Sequence, residues 1–223
     1  MVSKLRYKIA TSVYAHFYNI RRLILPKRFL SPGEQYFKYG GNSQLTDFKL
    51  SQNALCIDFG GYKGVWAQEI YSKFNCSILI YEPVSVFFDD LEKLFADNPK
   101  VSLFNYGISN VNSKAWLQVD GAASGSYAEG EQKVLVQFKD ASELQEVGNI
   151  DVVKINIEGG EYELIPELYQ RALLPKITTL IIQFHATKNQ NLILCEKILG
   201  QTHKLTWSYD LVWERWDRIL KYD

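Results

Sequence analysis

The chain has little cysteine and no cysteine pair spaced for metal binding. Its three cysteines, Cys56, Cys76 and Cys195, show no C-x-x-C spacing, which argues against a zinc cluster and against a disulfide framework. Because Cys56 lies within an apolar segment, we expect these cysteines to be small buried side chains in a reducing compartment. The sequence therefore predicts a cytoplasmic protein with no bound metal.

The chain also lacks a net charge and a long apolar run, but its basic residues are unevenly distributed. Residues 1–30 hold seven basic residues and no acidic one, whereas the other 193 residues hold 18 basic and 25 acidic residues, a net charge of −7. The uncharged run 9–20 has 12 residues and includes His16 and Asn19, so it is too short to span a bilayer and is a poor secretory signal. We expect residues 1–30 to form an amphipathic helix that either packs on the domain or docks on a protein or on the inner membrane surface.

Beyond these absences, the sequence pattern divides the chain into two parts. Residues 1–46 are predicted to form a basic helical extension and a connector punctuated by proline and glycine. Residues 47–223 alternate strand-like and helix-like segments, which predicts a mostly parallel sheet with helices on both faces. We expect His203–Tyr209 and Leu211–Trp216 to close this sheet as an antiparallel pair. The predicted strands before this pair are Ala54–Asp58, Ser77–Tyr81, Val101–Asn105, Ala115–Val119, Val134–Phe138, Ile150–Ile157 and Thr179–Phe184.

The stretch Asp58–Gly64, with the sequence D-F-G-G-Y-K-G, is the strongest local signal. An apolar strand precedes it, and the segment Val65–Tyr71 after it has apolar residues at helical spacing. Such a strand, glycine turn and helix are typical of nucleotide-binding α/β units, because Gly60, Gly61 and Gly64 let backbone approach a ligand closely. The start of the helix also offers unpaired N–H groups. The spacing differs from G-x-G-x-x-G and has an acid at the strand end, which favours S-adenosylmethionine over a dinucleotide.

Glu82 ends the second predicted strand, 24 residues after Asp58. A carboxylate at this position can accept hydrogen bonds from both ribose hydroxyls of a nucleoside. The alternative is a solvated acid before Pro83. Asp58 could either hold the ammonium group of the cofactor or order the glycine turn. Ligands of open α/β sheets bind beyond the carboxyl ends of the strands, so we expect the polar residues at those ends to lie together. These residues are Asp58, Glu82, Asn105, Asn156, Glu158, Gln183 and His185.

The segment Asp151–Glu161 is the second strong signal. Period-two alternation places Lys154, Asn156 and Glu158 on one side of an otherwise apolar strand, which is costly unless these groups are paired or used. Two interpretations stay open: a polar cluster aimed at a donor methyl group and an acceptor hydroxyl, or a structural Lys154–Glu158 pair. His185 follows another apolar strand and is either a general base or a plain hydrogen-bonded histidine.

Together these segments resemble the FkbM-type family of S-adenosylmethionine-dependent methyltransferases. The resemblance covers roughly residues 50–190, and its most specific part is the motif from Lys154 to Gly159. The motifs that carry it are Ile57–Gly64, Tyr81-Glu82-Pro83, Asn105–Ser109, Ser124-Gly125-Ser126, Ile150–Gly159 and Gln183-Phe184-His185.

The resemblance implies a Rossmann-like class I methyltransferase that methylates a hydroxyl of a sugar, a polysaccharide or a related natural product. It implies a small-molecule or glycan acceptor, and we expect no nucleic acid partner. The residues expected to hold S-adenosylmethionine are Asp58, Gly60, Gly61, Gly64 and Glu82, with Asn105, Gly107 and Ser109 on the adenine side. The residues expected on the reaction side are Lys154, Asn156, Glu158 and His185.

The chain departs from the family pattern at two positions. It has Asn156 where the family usually has aspartate, and Gln183 where the family often has glutamate. An amide cannot act as a base and ligates hard cations less strongly than a carboxylate. We therefore expect no metal-assisted mechanism, and Glu158 and His185 become the better candidates for the base.

Two other classes of function stay open. An NAD(P)-dependent oxidoreductase would share the strand, glycine turn and acid, but it would need G-x-G-x-x-G and a dyad such as Tyr-x-x-x-Lys, and neither occurs near a predicted strand end. A non-catalytic binding protein with a methyltransferase fold is the other alternative, favoured by Asn156, Gln183 and the basic N-terminus.

Overall fold

The structure, a computed structural model, describes residues 26–27, 30–120, 123–125, 132–186 and 191–220, with only the backbone at residues 120, 123–125 and 132. The amphipathic helix predicted for residues 1–30 lies almost entirely outside these ranges, so its docking role stays a prediction. The chain divides after Asp47 into two compact units. Among the described residues, no helix combines the length and the apolar character needed to cross a bilayer.

The first unit contains two short helices in the stretch predicted to be a connector. Helix α1 covers Pro32–Lys38 and α2 covers Gly41–Gln44. A capping box starts α1: the Glu34 amide donates to Ser31 Oγ at 3.3 Å, and the Ser31 amide donates to Glu34 Oε2 at 2.8 Å. The connector prediction missed these helices because proline usually breaks a helix, whereas here it occupies the first helical position, where its missing N–H costs nothing.

The second unit alternates strands and helices as predicted. Its strands are β1 Leu55–Phe59, β2 Ser77–Tyr81, β3 Val101–Phe104, β4 Gly107–Ser109, β5 Ser113–Asp120, β6 Ala123–Gly125, β7 Gln132–Asp140, β8 Ile150–Ile155, β9 Ile177–Ile182, β10 His203–Tyr209 and β11 Trp213–Arg218. Its helices are α3 Val65–Phe74, α4 Ser85–Leu94, α5 Glu161–Gln170 and α6 Leu192–Leu199, with 3₁₀ turns at Ala141–Leu144 and Leu174–Lys176.

Seven of these strands form one sheet in the order β10-β11-β9-β8-β1-β2-β3. Strands β3, β2, β1, β8 and β9 are parallel, whereas β11 is antiparallel to both of its neighbours, β9 and β10. This arrangement confirms the predicted fold class, a Rossmann-like, mostly parallel sheet with an antiparallel closing strand.

Helices cover both faces of the sheet, which explains why its central strands are mostly apolar. On one face, Ile57 and Ile155 belong to a large buried cluster that includes side chains of α5 and α6. On the other face, Ile78 and Ile80 are fully buried, and Leu91 of α4 packs near Ile80. Burial on both sides is the usual state of parallel strands joined by crossover helices.

The structure also contains a second sheet of four strands, in the order β4-β7-β5-β6, which was not predicted as a separate sheet. Strands β5 and β7 were expected, whereas β4 and β6 were not. The inward side chains of this sheet, Val136, Leu117 and Phe138, pack on Val84 and Phe87 beside α4. The predicted loop motif Ser124-Gly125-Ser126 lies partly in β6, and Ser126 lies outside the described residues.

The predicted end of β8 is wrong by two residues, and this changes which side chains share a face. The strand ends at Ile155 rather than Ile157, because the chain then turns, with φ of +54° at Glu158 and +102° at Gly159. The alternation that placed Lys154, Asn156 and Glu158 on one side therefore does not continue to Glu158. Strand β11 also starts later than predicted, since Leu211 lies in the turn with φ of +51°.

Candidate active site

The glycine turn after β1 is shaped by close contact with neighbouring strands. Gly60 has φ of +82°, and a Cβ there would lie 2.0 Å from the Asn156 carbonyl oxygen. A Cβ on Gly61 would lie 2.3 Å from Ile80 Cγ2. Gly64, with φ of +72°, caps the start of α3. These positions need glycine because the protein itself leaves no room for a side chain.

Asp58 and Lys154 form a buried ion pair beneath this turn. Lys154 Nζ lies 2.7 Å from Asp58 Oδ1 and donates to the Gly60 carbonyl oxygen at 3.1 Å. The two residues are direct neighbours in the register of β1 and β8. Burial raises the pKa of the Asp58 carboxyl group, and the Lys154 ammonium opposes that rise. The pair orders the glycine turn, so Lys154 is engaged by Asp58 rather than by Glu158, the partner considered from the sequence.

Glu82 is buried rather than solvated. Its Oε2 accepts a hydrogen bond from the Tyr62 amide at 2.8 Å, and its Oε1 accepts one from the Val84 amide at 2.9 Å. Burial raises the pKa of this carboxyl group, and the two amide hydrogen bonds oppose that rise. Each carboxylate oxygen keeps a free lone pair, so two hydroxyl donors can still bind.

The residues predicted for the adenine side separate in the structure. Gly107 and Ser109, both in β4, line the same cavity as Glu82. Asn105 is exposed and is not among the lining residues; its Nδ2 donates to the Glu82 carbonyl oxygen at 3.0 Å and so supports the end of β2. Asn105 thus stabilises the backbone at Glu82, directly after β2, rather than lining the cavity.

A cavity of about 360 Å³ lies at the carboxyl ends of β1, β2 and β8. Its floor and walls include Gly60 and Glu82 on one side and the loop from Asn156 to Gly160 on another. The second sheet contributes apolar lining through Leu117 and Phe138. A site at this edge of the sheet is where open α/β folds bind their ligands.

The loop after β8 brings two polar side chains to this cavity. The backbone N–H of Asn156 donates to the Phe59 carbonyl oxygen at 3.1 Å, which ties the loop to β1. Asn156 Oδ1 is buried and has no hydrogen-bond partner, so it can accept a bond from a bound molecule. Glu158 also lines the cavity, and its side chain is 33% exposed.

Glu161 joins this loop to His185. The carboxylate is fully buried: Oε1 accepts from the Ile157 amide at 2.9 Å and lies 3.0 Å from His185 Nδ1, while Oε2 accepts from the Gly159 amide at 2.9 Å. His185 Nε2 lies 3.5 Å from Glu158 Oε2. Glu161 is not among the residues predicted from the sequence; the signal that could have identified it is an acid at the first position of a helix after two glycines.

Burial and neighbouring charges shift the pKa values of His185 and Glu158. Burial alone would lower the pKa of His185, but the hydrogen bond and charge of Glu161, together with the charge of Glu158, raise it overall. Burial raises the pKa of Glu158, with a further rise from Glu161 and an opposing effect from His185. Both residues therefore keep their protons to a higher pH than their exposed counterparts do.

The structure thus brings some of the predicted site residues together and separates others. Those that line the cavity are Gly60, Glu82, Gly107, Ser109, Asn156 and Glu158. The other six, Asp58, Gly61, Gly64, Asn105, Lys154 and His185, are not among its lining residues. They shape the turn, the strand ends or the position of Glu158.

The cysteines are buried, as predicted: all three are free thiols, and Cys56 Sγ lies 3.9 Å from Cys76 Sγ. In the ranges the structure covers, no group of three or more histidine, cysteine, aspartate or glutamate side chains is arranged to hold a metal ion.

No family model and no curated protein matches the chain. Several solved structures have a similar fold. The 23S rRNA methyltransferase ErmE is 11% identical, with a TM-score of 0.43 over 81% of this chain and 68% of that one. Precorrin-6y C5,15-methyltransferase from Geobacter metallireducens GS-15 is 12% identical, with a TM-score of 0.44 over 76% and 74%. TrmK from M. capricolum, solved with S-adenosylhomocysteine, is 12% identical, with a TM-score of 0.41 over 79% and 66%.

The strand order and the antiparallel closing strand define the class of fold: the chain has a Rossmann-like, mostly parallel sheet. Similarity at this level concerns the fold, and membership of the FkbM family stays a resemblance. The expectation of no nucleic acid partner is wrong as an exclusion, because the same fold occurs in a protein named as an rRNA methyltransferase.

Proposed function

We propose that the chain is an S-adenosylmethionine-dependent O-methyltransferase that acts on a hydroxyl of a sugar, a polysaccharide or a related natural product. One observation carries the proposal: the cavity at the sheet edge is lined by the glycine turn, the Glu82 carboxylate and the Asn156–Gly160 loop. Within one cavity, these features would supply a backbone that a ligand can approach closely, a carboxylate that accepts hydrogen bonds from ribose hydroxyls, and polar groups for the reaction. The proposal also assigns residues 47–223 to the methyltransferase domain and residues 1–46 to an extension that contacts a membrane or a protein.

The residues present fit the cofactor. Glu82 has the free lone pairs that two ribose hydroxyls need, and the buried Asn156 Oδ1 lacks a donor that a bound ligand can supply. Gly107 and Ser109 would border the adenine side. S-adenosylmethionine supplies a methyl group already activated on a sulfonium. The protein therefore needs to align the acceptor, exclude water and remove a proton.

The acceptor side is assigned to Glu158 and to a shallow groove next to the cavity. Ser113 and Phe138 line both spaces, so the groove is continuous with the cavity wall. The other groove residues are polar or charged: Asn112, Lys114, Gln137, Lys139 and Glu143. Amides, lysines and hydroxyls of this kind suit a hydroxyl-rich acceptor better than an apolar one.

Within this proposal, the chain's own groups divide the work. Apolar side chains such as Leu117 and Phe138 keep water from the reacting atoms, which strengthens the electrostatic interactions inside the cavity. Glu158, which faces the cavity, takes the proton of the acceptor hydroxyl. Asn156 cannot act as a base and is assigned to orientation by hydrogen bonding.

Calorimetry tests the cofactor assignment. We expect S-adenosylmethionine to bind and NAD to show no binding. Glu82→Gln should weaken the affinity at least about tenfold, since hydrogen bonds to charged groups contribute roughly 1.5–3 kcal/mol. Glu92→Gln, on the exposed face of α4, is the matched control and should bind as wild type does. Binding of NAD with none of S-adenosylmethionine would refute the proposal.

A non-catalytic binding protein is the second candidate, and Asn156 in place of a carboxylate is the observation that favours it. Incubation with labelled S-adenosylmethionine and a panel of methyl glycosides, polysaccharides and RNA separates the two. Label in a glycan supports the O-methyltransferase, and label in RNA assigns a different acceptor class. Cofactor binding without transfer to any of them supports the binding protein.

A further inference from the structure

We propose that Glu161 is a positioning residue for the proton-transfer step: it holds Glu158 at the cavity both through the backbone and through His185. This inference rests on the proposed function, because the proton that Glu158 receives comes from the acceptor hydroxyl. Glu161 itself is fully buried and does not line the cavity.

Backbone hydrogen bonds to Glu161 come from the residues on both sides of Glu158. The amides of Ile157 and Gly159 both donate to the Glu161 carboxylate, each at 2.9 Å. Glu158 lies between them with φ of +54°, a left-handed conformation that is strained for a residue with a side chain. The two hydrogen bonds from its neighbours hold Glu158 in this strained conformation, which a free loop would leave.

The side-chain part runs through the imidazole ring. His185 Nδ1 lies 3.0 Å from Glu161 Oε1, so the fully buried carboxylate fixes this nitrogen as the donor. Nε2 is then directed at Glu158 Oε2, 3.5 Å away. From the cavity inward, the order is Glu158, His185 and Glu161. The Tyr162 hydroxyl donates to the His185 carbonyl oxygen at 2.9 Å and fixes the backbone of this residue.

The proton step follows from this order. The O–H bond of the acceptor breaks, the proton goes to the Glu158 carboxylate, and the oxygen keeps the electron pair with which it bonds to the methyl carbon. The bond between that carbon and the cofactor sulfur would break at the same time, and its electron pair would stay on the sulfur of the departing S-adenosylhomocysteine. Burial and the nearby Glu161 charge raise the pKa of Glu158, which suits it to this role. When protonated, His185 orients the Glu158 side chain and stabilises its ionised form before transfer.

Nuclear magnetic resonance titration of His185 in the ligand-free chain tests the coupling without depending on turnover. Glu161→Gln removes the buried negative charge, so the pKa of His185 should fall below its wild-type value. Glu158→Gln, at the open side of the cluster, should also lower it. Glu167→Gln, in the same helix but paired with Arg171, is the matched control and should leave it unchanged. An unchanged His185 pKa in the folded Glu161→Gln variant overturns the proposal.

Two further measurements separate positioning from general structural support. Among the methyl glycosides of the acceptor panel, Glu158→Gln should reduce kcat by about 10²–10⁴-fold and Glu161→Gln by at least tenfold, with KM for S-adenosylmethionine nearly unchanged. If Glu161→Gln does not fold, Glu158→Gln alone decides, and a wild-type His185 pKa in that variant overturns the proposal. Failure of the proposed function would instead appear as no binding of S-adenosylhomocysteine by the wild-type chain.

Discussion

Replacing Gly60 by alanine is the sharpest test of how the glycine turn is built. The added Cβ would lie 2.0 Å from the Asn156 carbonyl oxygen, whereas Cβ atoms essentially never come within 3.0 Å of another non-bonded heavy atom. The loop after β8 must therefore move by about 1 Å away from β1. Overpacking of this kind costs about 1–3 kcal/mol. Alanine at φ of +82° adds about 1–2 kcal/mol of backbone strain.

The free energy of unfolding of Gly60→Ala should thus fall by about 2–5 kcal/mol, the sum of these two ranges. Urea denaturation followed by circular dichroism measures this change. Gly148→Ala is the matched control, because nothing lies within 4 Å of a Cβ at that exposed position. Its stability should change by less than about 1 kcal/mol. A loss below about 1 kcal/mol for Gly60→Ala would refute the account of the turn.

Two further predictions concern the buried charges. Lys154→Met should lower the free energy of unfolding by about 3–5 kcal/mol in urea denaturation, because it leaves Asp58 buried without its partner. The control Lys93→Met breaks an exposed pair with Asp90 and should cost less than about 1 kcal/mol. Equal losses would contradict the assignment of a buried ion pair. The raised pKa of His185 means that its stabilising contribution is complete below the unfolded-state pKa and is lost as pH rises through the folded-state pKa. The stability advantage of wild type over His185→Gln should therefore be larger at pH 5.5 than at pH 8.5, and an advantage that grows with pH would contradict the assignment.

Much of the sheet could be predicted from local pattern. The strand Ser77–Tyr81 has the predicted ends, and the helix α3 begins at Val65, where the helical spacing of apolar residues after the glycine turn starts. The end of β8 could not be predicted from the sequence. Polar and apolar residues keep alternating after Ile155, the last residue of the strand, although the chain turns at Glu158. The turn depends on Glu161, which binds the amides on either side of Glu158.

Six of the twelve residues predicted for the candidate site line the cavity, and the other six do not. Glu82 reaches the cavity, as expected for a cofactor acid, but its burial depends on amides of Tyr62 and Val84 that local pattern does not identify. The partner of Lys154 lies 96 residues away in the neighbouring strand. Only the register of β1 and β8 places Asp58 beside it, and a single sequence does not reveal that register.

The most direct test of the central claim is an experimental structure of the chain with S-adenosylhomocysteine. We expect the ligand to occupy the cavity between the glycine turn and the Asn156–Gly160 loop, with its ribose hydroxyls donating to the Glu82 carboxylate. A ligand bound elsewhere on the chain, or a ribose directed away from Glu82, would contradict it.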